Sequence, residues 1–191
     1  MQNLVEIERS SEQLLDGKLL KVYRDRVLLP DGQEGLREWI DHPGASAVVP
    51  LFPDGSTLLV RQFRYPAKST FLEVPAGKLD KAGEDPAEAA ARELEEETGW
   101  CAASFTKLGA LFPCLGYSNE IIHLYLAEDL TEVGAQHLEQ GEFVEVVSTS
   151  FDDALKLVRE GGIVDMKSAL ALLYARYHLD QRAAASMDVP T

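Results

Sequence analysis

The sequence predicts an α+β fold, because short β-type segments alternate with a few helical ones along a chain of ordinary composition. Of its 191 residues, 46% are hydrophobic and 26% are charged, which is enough apolar material for one domain with its own core. No segment reaches the run of about 18 apolar residues that a membrane span needs. Strands mixed with few helices favour a sandwich of sheet and helices over a helical bundle.

The N-terminal segment is expected to be rich in β-structure after an irregular start. Residues 1–17 predict a helical or irregular lead-in, and the following segment predicts two strands around a turn at residues 30–32, Pro-Asp-Gly. The sequence His-Pro-Gly at 42–44 then breaks the pattern. This break is the predicted boundary of the main domain.

The main domain is predicted to contain several strands and three helices. A buried strand, a hairpin at Asp54-Gly55 and a short strand come first, and later strands and helices follow. The predicted strands lie at 46–52, 56–65, 70–75, 105–112, 119–127 and 142–148, and the predicted helices at 86–98, 151–160 and 166–179. Asp165 is placed to cap the last helix. Residues 181–191 are expected to form a flexible tail.

Charge and cysteine content exclude several classes of function. The chain has 18 Lys and Arg against 32 Asp and Glu, a net charge of −14, which argues against nucleic-acid binding and against an anionic membrane surface. Two cysteines, Cys101 and Cys114, make no disulfide framework, and the N-terminus lacks the pattern of a secretory signal. A cytoplasmic protein with reduced thiols is therefore expected.

The predicted helix at 86–98 starts and ends with strong signals. Asp85 is a good N-cap, Pro86 occupies the first helical position, and Gly99 follows the last helical residue. Alanines between these ends favour the helix. Up to Arg92, propensity, capping and charge all agree.

The second half of this helix is a run of glutamates that breaks the local rules. Glu93 and Glu97 are four residues apart and share a face, with Glu96 beside them. Like charges at this spacing cost roughly 0.2–0.5 kcal/mol per pair, and the helix dipole disfavours anions near its C-terminus. A solvated acidic face is one interpretation. A site for a hard divalent cation is the other, and rules broken in a cluster favour it.

The segment from 75 to 100 resembles the Nudix box, G-x5-E-x7-R-E-U-x-E-E-x-G-U, in which U is a bulky apolar residue. The matching positions are Gly77, Glu84, Arg92, Glu93, Leu94, Glu96, Glu97, Gly99 and Trp100. The chain departs from the pattern at one point, since six residues (78–83) instead of five separate the first glycine from the first glutamate. The resemblance implies an α/β/α sandwich with a mixed sheet, the box helix and C-terminal helices.

The resemblance also implies a metal site and a reaction. Glu93 and Glu97 would be the principal ligands of Mg²⁺, for which Mn²⁺ can substitute, with Glu96 and the Ala76 carbonyl assisting. The implied role of Arg92 is to orient the glutamates, and Glu84 would bind a further metal or a bridging water. The implied reaction is hydrolysis of a pyrophosphate linked to another group.

The resemblance extends outside the box to the ADP-ribose and nucleoside diphosphate sugar pyrophosphatase branch. The segments that carry it are REWIDHPGASAVVPL, LLVRQFRYPAKSTFLEVPAGKL and FPCLGYSNEIIHLYLAEDL, and together the likeness covers about residues 18–178. Members of this branch have an N-terminal β-rich extension that helps to build a homodimer. The implied organisation is a dimerisation extension at 1–42, a Nudix hydrolase domain at 43–180 and the tail.

The branch resemblance also nominates substrate-binding residues. Arg37 and Arg64 would contact phosphates or ribose, although ordinary surface cations remain an alternative. Trp39 or Tyr23 would form an aromatic platform for a base, or would serve packing instead. In the loop after the box, Gly116 and Glu120 match the branch. That loop has Leu115 where the branch often has proline, which leaves room for other sugar nucleotides.

The catalytic base in this branch comes from an acidic loop downstream of the box. The matching stretch is HLEQGEFVEV at 137–146, in which Glu142 aligns best and Glu139 second. A glutamate in such a loop can deprotonate a water once it comes within hydrogen-bond reach. A solvated loop acid is the other interpretation. With Arg92 and Glu96, these residues complete the predicted catalytic set.

The sequence therefore predicts a Mg²⁺-dependent enzyme that splits ADP-ribose or a related nucleoside diphosphate sugar into a nucleoside monophosphate and a sugar phosphate. One alternative keeps the fold but changes the substrate to nucleoside triphosphates or dinucleoside polyphosphates. Another is a non-catalytic sensor of ADP-ribose-type ligands. A simple acidic cation-binding protein is the least specific alternative.

Overall fold

A computed structural model describes residues 4–79, 81, 83–138 and 140–187. Its strands and helices divide between two units, one comprising residues up to Gly44 together with Phe112–Ile121, the other comprising Ala45–Leu111 and the residues from Ile122 onward. None of the helices in this part of the chain has the length and apolar run that crossing a membrane requires.

Three antiparallel strands form the sheet of the first unit, in the order β1-β2-β3. They are β1 (Ile7–Asp16), β2 (Lys21–Leu28) and β3 (Glu34–Asp41). The turn predicted at residues 30–32 joins β2 to β3, with the Gly32 amide donating to the Leu29 carbonyl at 2.9 Å.

Strand β1 corrects the prediction of a helical or irregular start. All ten of its residues are exposed, so it has no alternation of apolar and polar side chains, and a strand cannot be recognised from its pattern. Backbone pairing with β2 forms it instead, from Ile7 opposite Leu28 to Asp16 opposite Lys21.

The second unit contains a four-stranded sheet, a three-stranded sheet and three helices. The orders are β7-β4-β9-β8 and β10-β5-β6, and β4 and β9 run parallel. The strands are β4 (Ala45–Pro50), β5 (Ser56–Arg64), β6 (Ser69–Glu73), β7 (Ala76–Lys78), β8 (Trp100–Leu111), β9 (Ile122–Glu132) and β10 (Val144–Ser150), and the helices are α1 (Pro86–Thr98), α2 (Phe151–Glu160) and α3 (Met166–Met187).

Two apolar clusters on opposite faces of β4 and β9 make this unit a sandwich. On one face Val48 and Tyr125 pack against Leu94 of α1. On the other, Val49 and Leu126 belong to a larger cluster that includes residues of α2 and α3. Each fully buried leucine contributes about 1.5–3 kcal/mol. The predicted α+β sandwich is confirmed, with helices on both faces of the mixed sheet.

Helix α3 continues beyond the end that the sequence predicted. It reaches Met187, whereas a flexible tail was expected from residue 181. Alanines at 183–185 favour the helix, and Arg182 anchors it by two hydrogen bonds of 2.8 Å to Glu128 of β9. The segment up to Met187 is therefore helical.

Candidate active site

Helix α1 carries the predicted metal ligands and is fixed at both ends as its sequence predicts. The Asp85 carboxylate accepts a hydrogen bond of 2.7 Å from the Ala87 amide, and Pro86 follows the cap. Gly99 ends the helix at φ +74°, and a Cβ there would lie 2.2 Å from the Gly134 carbonyl oxygen. Only glycine satisfies both conditions.

The two principal glutamates are buried on one face of α1. Glu93 is 8% exposed and Glu97 3% exposed. The Glu97 carboxylate accepts a hydrogen bond of 3.0 Å from the Ala76 amide at the start of β7. A Cβ on Gly77 would lie 1.9 Å from Glu93 Oε1, so the backbone of β7 approaches this carboxylate as closely as only glycine permits. The extra residue after Gly77 does not prevent this packing.

Arg92 joins the glutamates of the site. Its guanidinium donates to Glu93 at 2.7 Å, to Glu96 at 3.0 Å and to Glu84 at 3.1 Å. A further bond of 3.1 Å reaches the Lys78 carbonyl. Burial lowers the pKa of Arg92, but its bonds to these carboxylates, that to Glu84 first, outweigh burial and raise the pKa above its usual value. These contacts are compatible with the orienting role predicted for Arg92, which stays a prediction.

A cleft of about 100 Å³ opens beside these residues. It is lined by Ala76, Gly77, Lys78, Arg92, Glu93, Glu96 and Glu142. The loop before β10 thus brings Glu142, the preferred candidate base, to the metal-ligand candidates. The second candidate base, Glu139, lies outside the described residues.

The electrostatics of the cleft are those of crowded carboxylates. Burial raises the pKa of Glu93 to about 7 and that of Glu97 to about 8. Repulsion from the Glu142 carboxylate adds to both increases. Removing carboxylates from water disfavours their charged form, and a nearby cation restores it.

The donor set fits a divalent metal ion by its chemistry. Carboxylates of Glu93 and Glu97 and the Ala76 carbonyl are the oxygen donors that hard cations prefer. Burial first, and repulsion between neighbouring carboxylates second, raise the pKa values of the two glutamates, and a bound cation would oppose both effects. Within the described ranges, no three acidic, histidine or cysteine side chains already converge on one point. Arg92 holds Glu93 and Glu96, and the Ala76 amide holds Glu97. Binding would therefore require these side chains to turn toward the ion.

Glu84 lies in the site but is engaged by Arg92. Its side chain is only 3% exposed, and the hydrogen bond from Arg92 is the main reason that the pKa of Glu84 is lowered. It is therefore ionised and fixed beside the arginine. Its predicted role as ligand of a further metal stays a prediction.

Arg64 ends β5 and has a partner that the sequence analysis missed. Its guanidinium donates two hydrogen bonds of 2.7 Å to the Glu73 carboxylate at the end of β6. Glu73 is 2% exposed and also pairs with Lys167. One signal was available, since a glutamate inside the apolar segment TFLEV (70–74) needs a cationic partner when it is buried.

Arg37 and Trp39, on β3, belong to the first unit. Arg37 is exposed and pairs with Glu6, donating a bond of 2.8 Å through Nε. The Trp39 indole stacks on Tyr23, with ring centroids 5.1 Å apart, and donates to Asp25 at 2.7 Å. Both candidates for an aromatic platform are thus in one stacked pair, and its contact with a base stays a prediction.

The loop from Phe112 to Ile121 belongs to the same first unit and contains Gly116 and Glu120. Glu120 Oε1 lies 3.7 Å from His42 Nδ1. The loop is fastened to the end of β3 by Asn119, which accepts from the His42 amide and donates to Asp41, both at 2.8 Å. A Cβ on Gly116 would meet open space, so local packing does not require glycine there.

Comparison with known proteins agrees with this geometry. The model of the NUDIX domain matches residues 41–170, and that of the nucleoside diphosphate sugar hydrolase N-terminal domain matches residues 8–40. The chain belongs to the Nudix family, in its nucleoside diphosphate sugar hydrolase branch.

Relatives support the same assignment, and a solved structure shares the fold. An ADP-ribose pyrophosphatase of Bacillus subtilis (strain 168) is 43% identical, over 91% of this chain and 94% of its own length. A GDP-mannose pyrophosphatase of Yersinia enterocolitica is 32% identical, over 91% of this chain and 97% of its own. A crystal structure of an ADP compounds hydrolase has the same fold, with a TM-score of 0.82, 23% identity and coverage of 95% and 98% of the two chains.

Proposed function

We propose that the protein hydrolyses the pyrophosphate bond of ADP-ribose or a related nucleoside diphosphate sugar, releasing a nucleoside monophosphate and a sugar phosphate. The observation that carries the proposal is the cleft that Glu142 lines together with Arg92, Glu93 and Glu96 of the Nudix helix. The N-terminal domain match and the names of the relatives indicate the substrate class.

The cofactor we propose is Mg²⁺, with Mn²⁺ as a substitute, since Nudix hydrolases generally use a divalent metal. Glu93, Glu97, Glu96 and the Ala76 carbonyl would hold it. Such an ion, when bound, neutralises phosphate charge and lowers the pKa of water. Arg92 keeps the glutamates in place through its fork of hydrogen bonds.

Glu142 is the general base of the proposed reaction. It lies in the loop before β10, outside regular structure, where it can move toward an attacking water and accept its proton. Glu142→Gln should lower kcat roughly 10²-fold or more while leaving the affinity for Mg²⁺ within about twofold of wild type. Rapid-quench kinetics and metal titration measure the two effects. If Glu139→Gln alone lowers kcat, Glu139 is the base.

The first unit is proposed to form a homodimer. Its β1 is exposed along its whole length, and large apolar side chains on its strands are exposed as well, including those of Ile7, Leu15 and Leu36. Exposed apolar side chains gathered on one sheet are typical of an interaction surface. Sedimentation of the full chain should give twice the monomer mass, and a monomer at micromolar concentration would contradict the proposal.

A cytoplasmic location completes the proposal. Cys101 and Cys114 are both free thiols, which suits a reducing compartment. The roles predicted for Arg37, Trp39, Gly116 and Glu120 remain predictions that substitution can test.

Product analysis tests the proposed function. The protein is incubated with Mg²⁺ and ADP-ribose, ADP-glucose, GDP-mannose, UDP-glucose, ATP or a dinucleoside polyphosphate, and the products are separated. We expect AMP and ribose 5-phosphate from ADP-ribose, or the corresponding pair from another sugar nucleotide. If ATP is the one compound of the panel that is hydrolysed, and inorganic pyrophosphate is released, the triphosphate alternative is favoured. Tight binding of ADP-ribose without turnover would indicate a sensor.

A further inference from the structure

Glu73 is a buried carboxylate that the proposed chemistry leaves without a role. It ends β6, and only 2% of it is exposed. An ionised carboxylate in such a place is stable only if cations and hydrogen-bond donors surround it. Burial tends to raise the pKa of Glu73, but its partners, Arg64 first, outweigh burial and hold the pKa below its usual value. Glu73 is therefore an anion at neutral pH.

The start of α3 fastens this anion to the fold. Lys167 pairs with Glu73 and also donates to Asp165 at 3.0 Å. The residues that follow these two in the sequence are also bonded, since the Val74 amide donates to Ser168 Oγ at 2.9 Å. Two consecutive residues, Glu73 and Val74, are thus held by two consecutive residues of the helix. The carboxylate has little freedom to move.

Arg64 is bound to this fixed carboxylate along one edge only. Nε and one terminal nitrogen each donate to Glu73 at 2.7 Å, and these bonds use two of the five N–H donors of the guanidinium. The side chain as a whole is still 43% exposed. A planar fork held along one edge presents its other donors in a fixed direction.

The Arg64–Glu73 pair lies close along the chain to one metal-ligand candidate, Glu97. Glu73 is three residues before Ala76, whose amide donates to the Glu97 carboxylate at 3.0 Å. Hydrogen bonding to Glu73 raises the pKa of Arg64 most, and the Asp165 and Glu97 carboxylates, in that order, contribute to the same increase. The guanidinium is therefore close enough to Glu97 to interact with it. If an anion binds beside Glu97 together with a cation, the Arg64 side chain is already oriented to bind that anion.

We propose that Glu73 is a positioning residue, which holds Arg64 so that its open edge binds the diphosphate of the substrate beside the glutamates of α1. The inference rests on the proposed function for the identity of the ligand. An arginine side chain that is free to rotate loses much conformational entropy on binding a phosphate. Glu73, which pairs with Lys167 and precedes the Val74 amide held by Ser168, removes most of that cost before the substrate binds.

A double-mutant cycle tests the proposal. The variants are Glu73→Gln, Arg64→Lys and the two combined, with Glu145→Gln as matched control. Glu145 is also a partner of a β5 arginine, Arg61, but this pair is exposed on both sides. Because burying Gln beside two cations is destabilising, Glu73→Asp is made as well. It keeps the charge but withdraws the carboxylate from Arg64.

Two quantities are measured at pH 7.5 with Mg²⁺: kcat/KM for ADP-ribose, and the Kd of the non-hydrolysable α,β-methylene analogue of ADP-ribose. We expect Glu73→Gln and Glu73→Asp each to lower kcat/KM about tenfold or more, mainly by raising KM, and to raise the Kd of the analogue by a similar factor. Arg64→Lys should weaken them at least as much, and the combined variant no further, because Glu73 acts through Arg64. Glu145→Gln should match wild type.

Independent losses that multiply in the combined variant would overturn the proposal, as would wild-type kinetics in a folded Glu73 variant. A loss confined to thermal stability would show that the network only holds the fold together. The binding arm separates this inference from the proposed function. If wild type binds the analogue but hydrolyses no sugar nucleotide, the proposed function fails while the cycle in Kd still decides the role of Glu73. If wild type does not bind the analogue, both are wrong.

Discussion

Helices α1 and α2 begin with the same kind of cap but differ in the charges of their last turns. Asp85 caps α1 and Ser150 caps α2, and each helix ends at a glycine with positive φ. In α2, Arg159 occupies the last turn, as the helix dipole favours. In α1 the last turns hold Glu93 and three further glutamates and no basic residue.

The comparison teaches where to look for function in a chain whose local rules are otherwise obeyed. Each anion near a helix C-terminus costs about 0.3–1 kcal/mol, and burial adds to the cost at Glu93 and Glu97. In α2 this cost falls on a single glutamate, Glu160, which directly follows the cation Arg159. In α1 the cost is offset when a cation binds, so the difference between the helices is itself a prediction about metal binding.

The largest expected effect comes from removing one charge of α1. Glu97→Gln should lower kcat about 10³-fold or more, since electrostatic terms in water-excluded sites are usually the largest, and should retain the fold. Circular dichroism and product release measure both. Glu95→Gln, on the exposed side of the same helix, is the control and should remain active. An active Glu97→Gln enzyme would remove the basis of the comparison.

The next effect comes from the backbone beside α1. In Gly77→Ala the added Cβ would overlap Glu93 Oε1, at 1.9 Å, and must displace that carboxylate. A misplacement of about 1 Å in a catalytic group costs roughly 10²-fold in rate. We expect kcat to fall by this factor and Mg²⁺ affinity to weaken with it. Gly109→Ala in β8, where an added Cβ would lie at an ordinary contact distance of 3.4 Å from Tyr174 Cε1, controls for the loss of a glycine.

A smaller effect concerns pH. The pKa of Glu93 is near 7 and that of Glu97 near 8, both above the unfolded value of 4.5. Below pH 4.5, where both carboxyl groups are protonated, their contribution to the stability of the folded state is therefore present in full. This contribution is lost as pH rises through 7 and 8. The increase in Tm on adding Mg²⁺ should therefore be larger at pH 8.5 than at pH 6, because only the ionised carboxylates bind metal. Scanning calorimetry with EDTA or Mg²⁺ measures it; equal increments would contradict the assignment.

The smallest expected effect comes from a change at the N-cap of α2, the helix of the comparison that serves packing. Ser150 accepts a hydrogen bond of 3.0 Å from the Asp153 amide, and Ser150→Ala should lower the free energy of unfolding by about 1 kcal/mol. Urea denaturation measures the loss, and kcat should be unchanged. A fall in kcat would mean that α2, too, has a part in the reaction.

Local signals account for most of what the sequence predicted. The caps of α1, the hairpin turns and the apolar strands β4 and β5 are determined by neighbouring residues, so reading along the chain finds them. Strand β1 could not be found this way, because its side chains are exposed and only the register with β2 makes it a strand.

The residues of the site likewise fall into those that local sequence predicts and those that depend on contacts between distant segments. The glutamates of α1 are close in sequence and were predicted together, whereas Glu73 and Lys167 lie on separate elements, and their pairing depends on the packing of α3 against the sheet. Glu73 alone was visible, as a charge in an apolar strand. Lys167 could not be identified as its partner from the sequence, because the pairing exists only in the folded protein.

The pairing of β4 has a consequence for how the protein is made. The backbone of β7, which supports the glutamates, pairs with β4, and β4 pairs on its other side with β9 from Ala45 opposite Ile122. Contacts between such distant parts of a chain form late, because the loop between them must close first. On the ribosome, β4, the partner of β7, stays paired on one side only until β9 has emerged. We expect catalytic competence to appear abruptly and not gradually during synthesis, and only once β9 and the later loop that contains Glu142 have emerged.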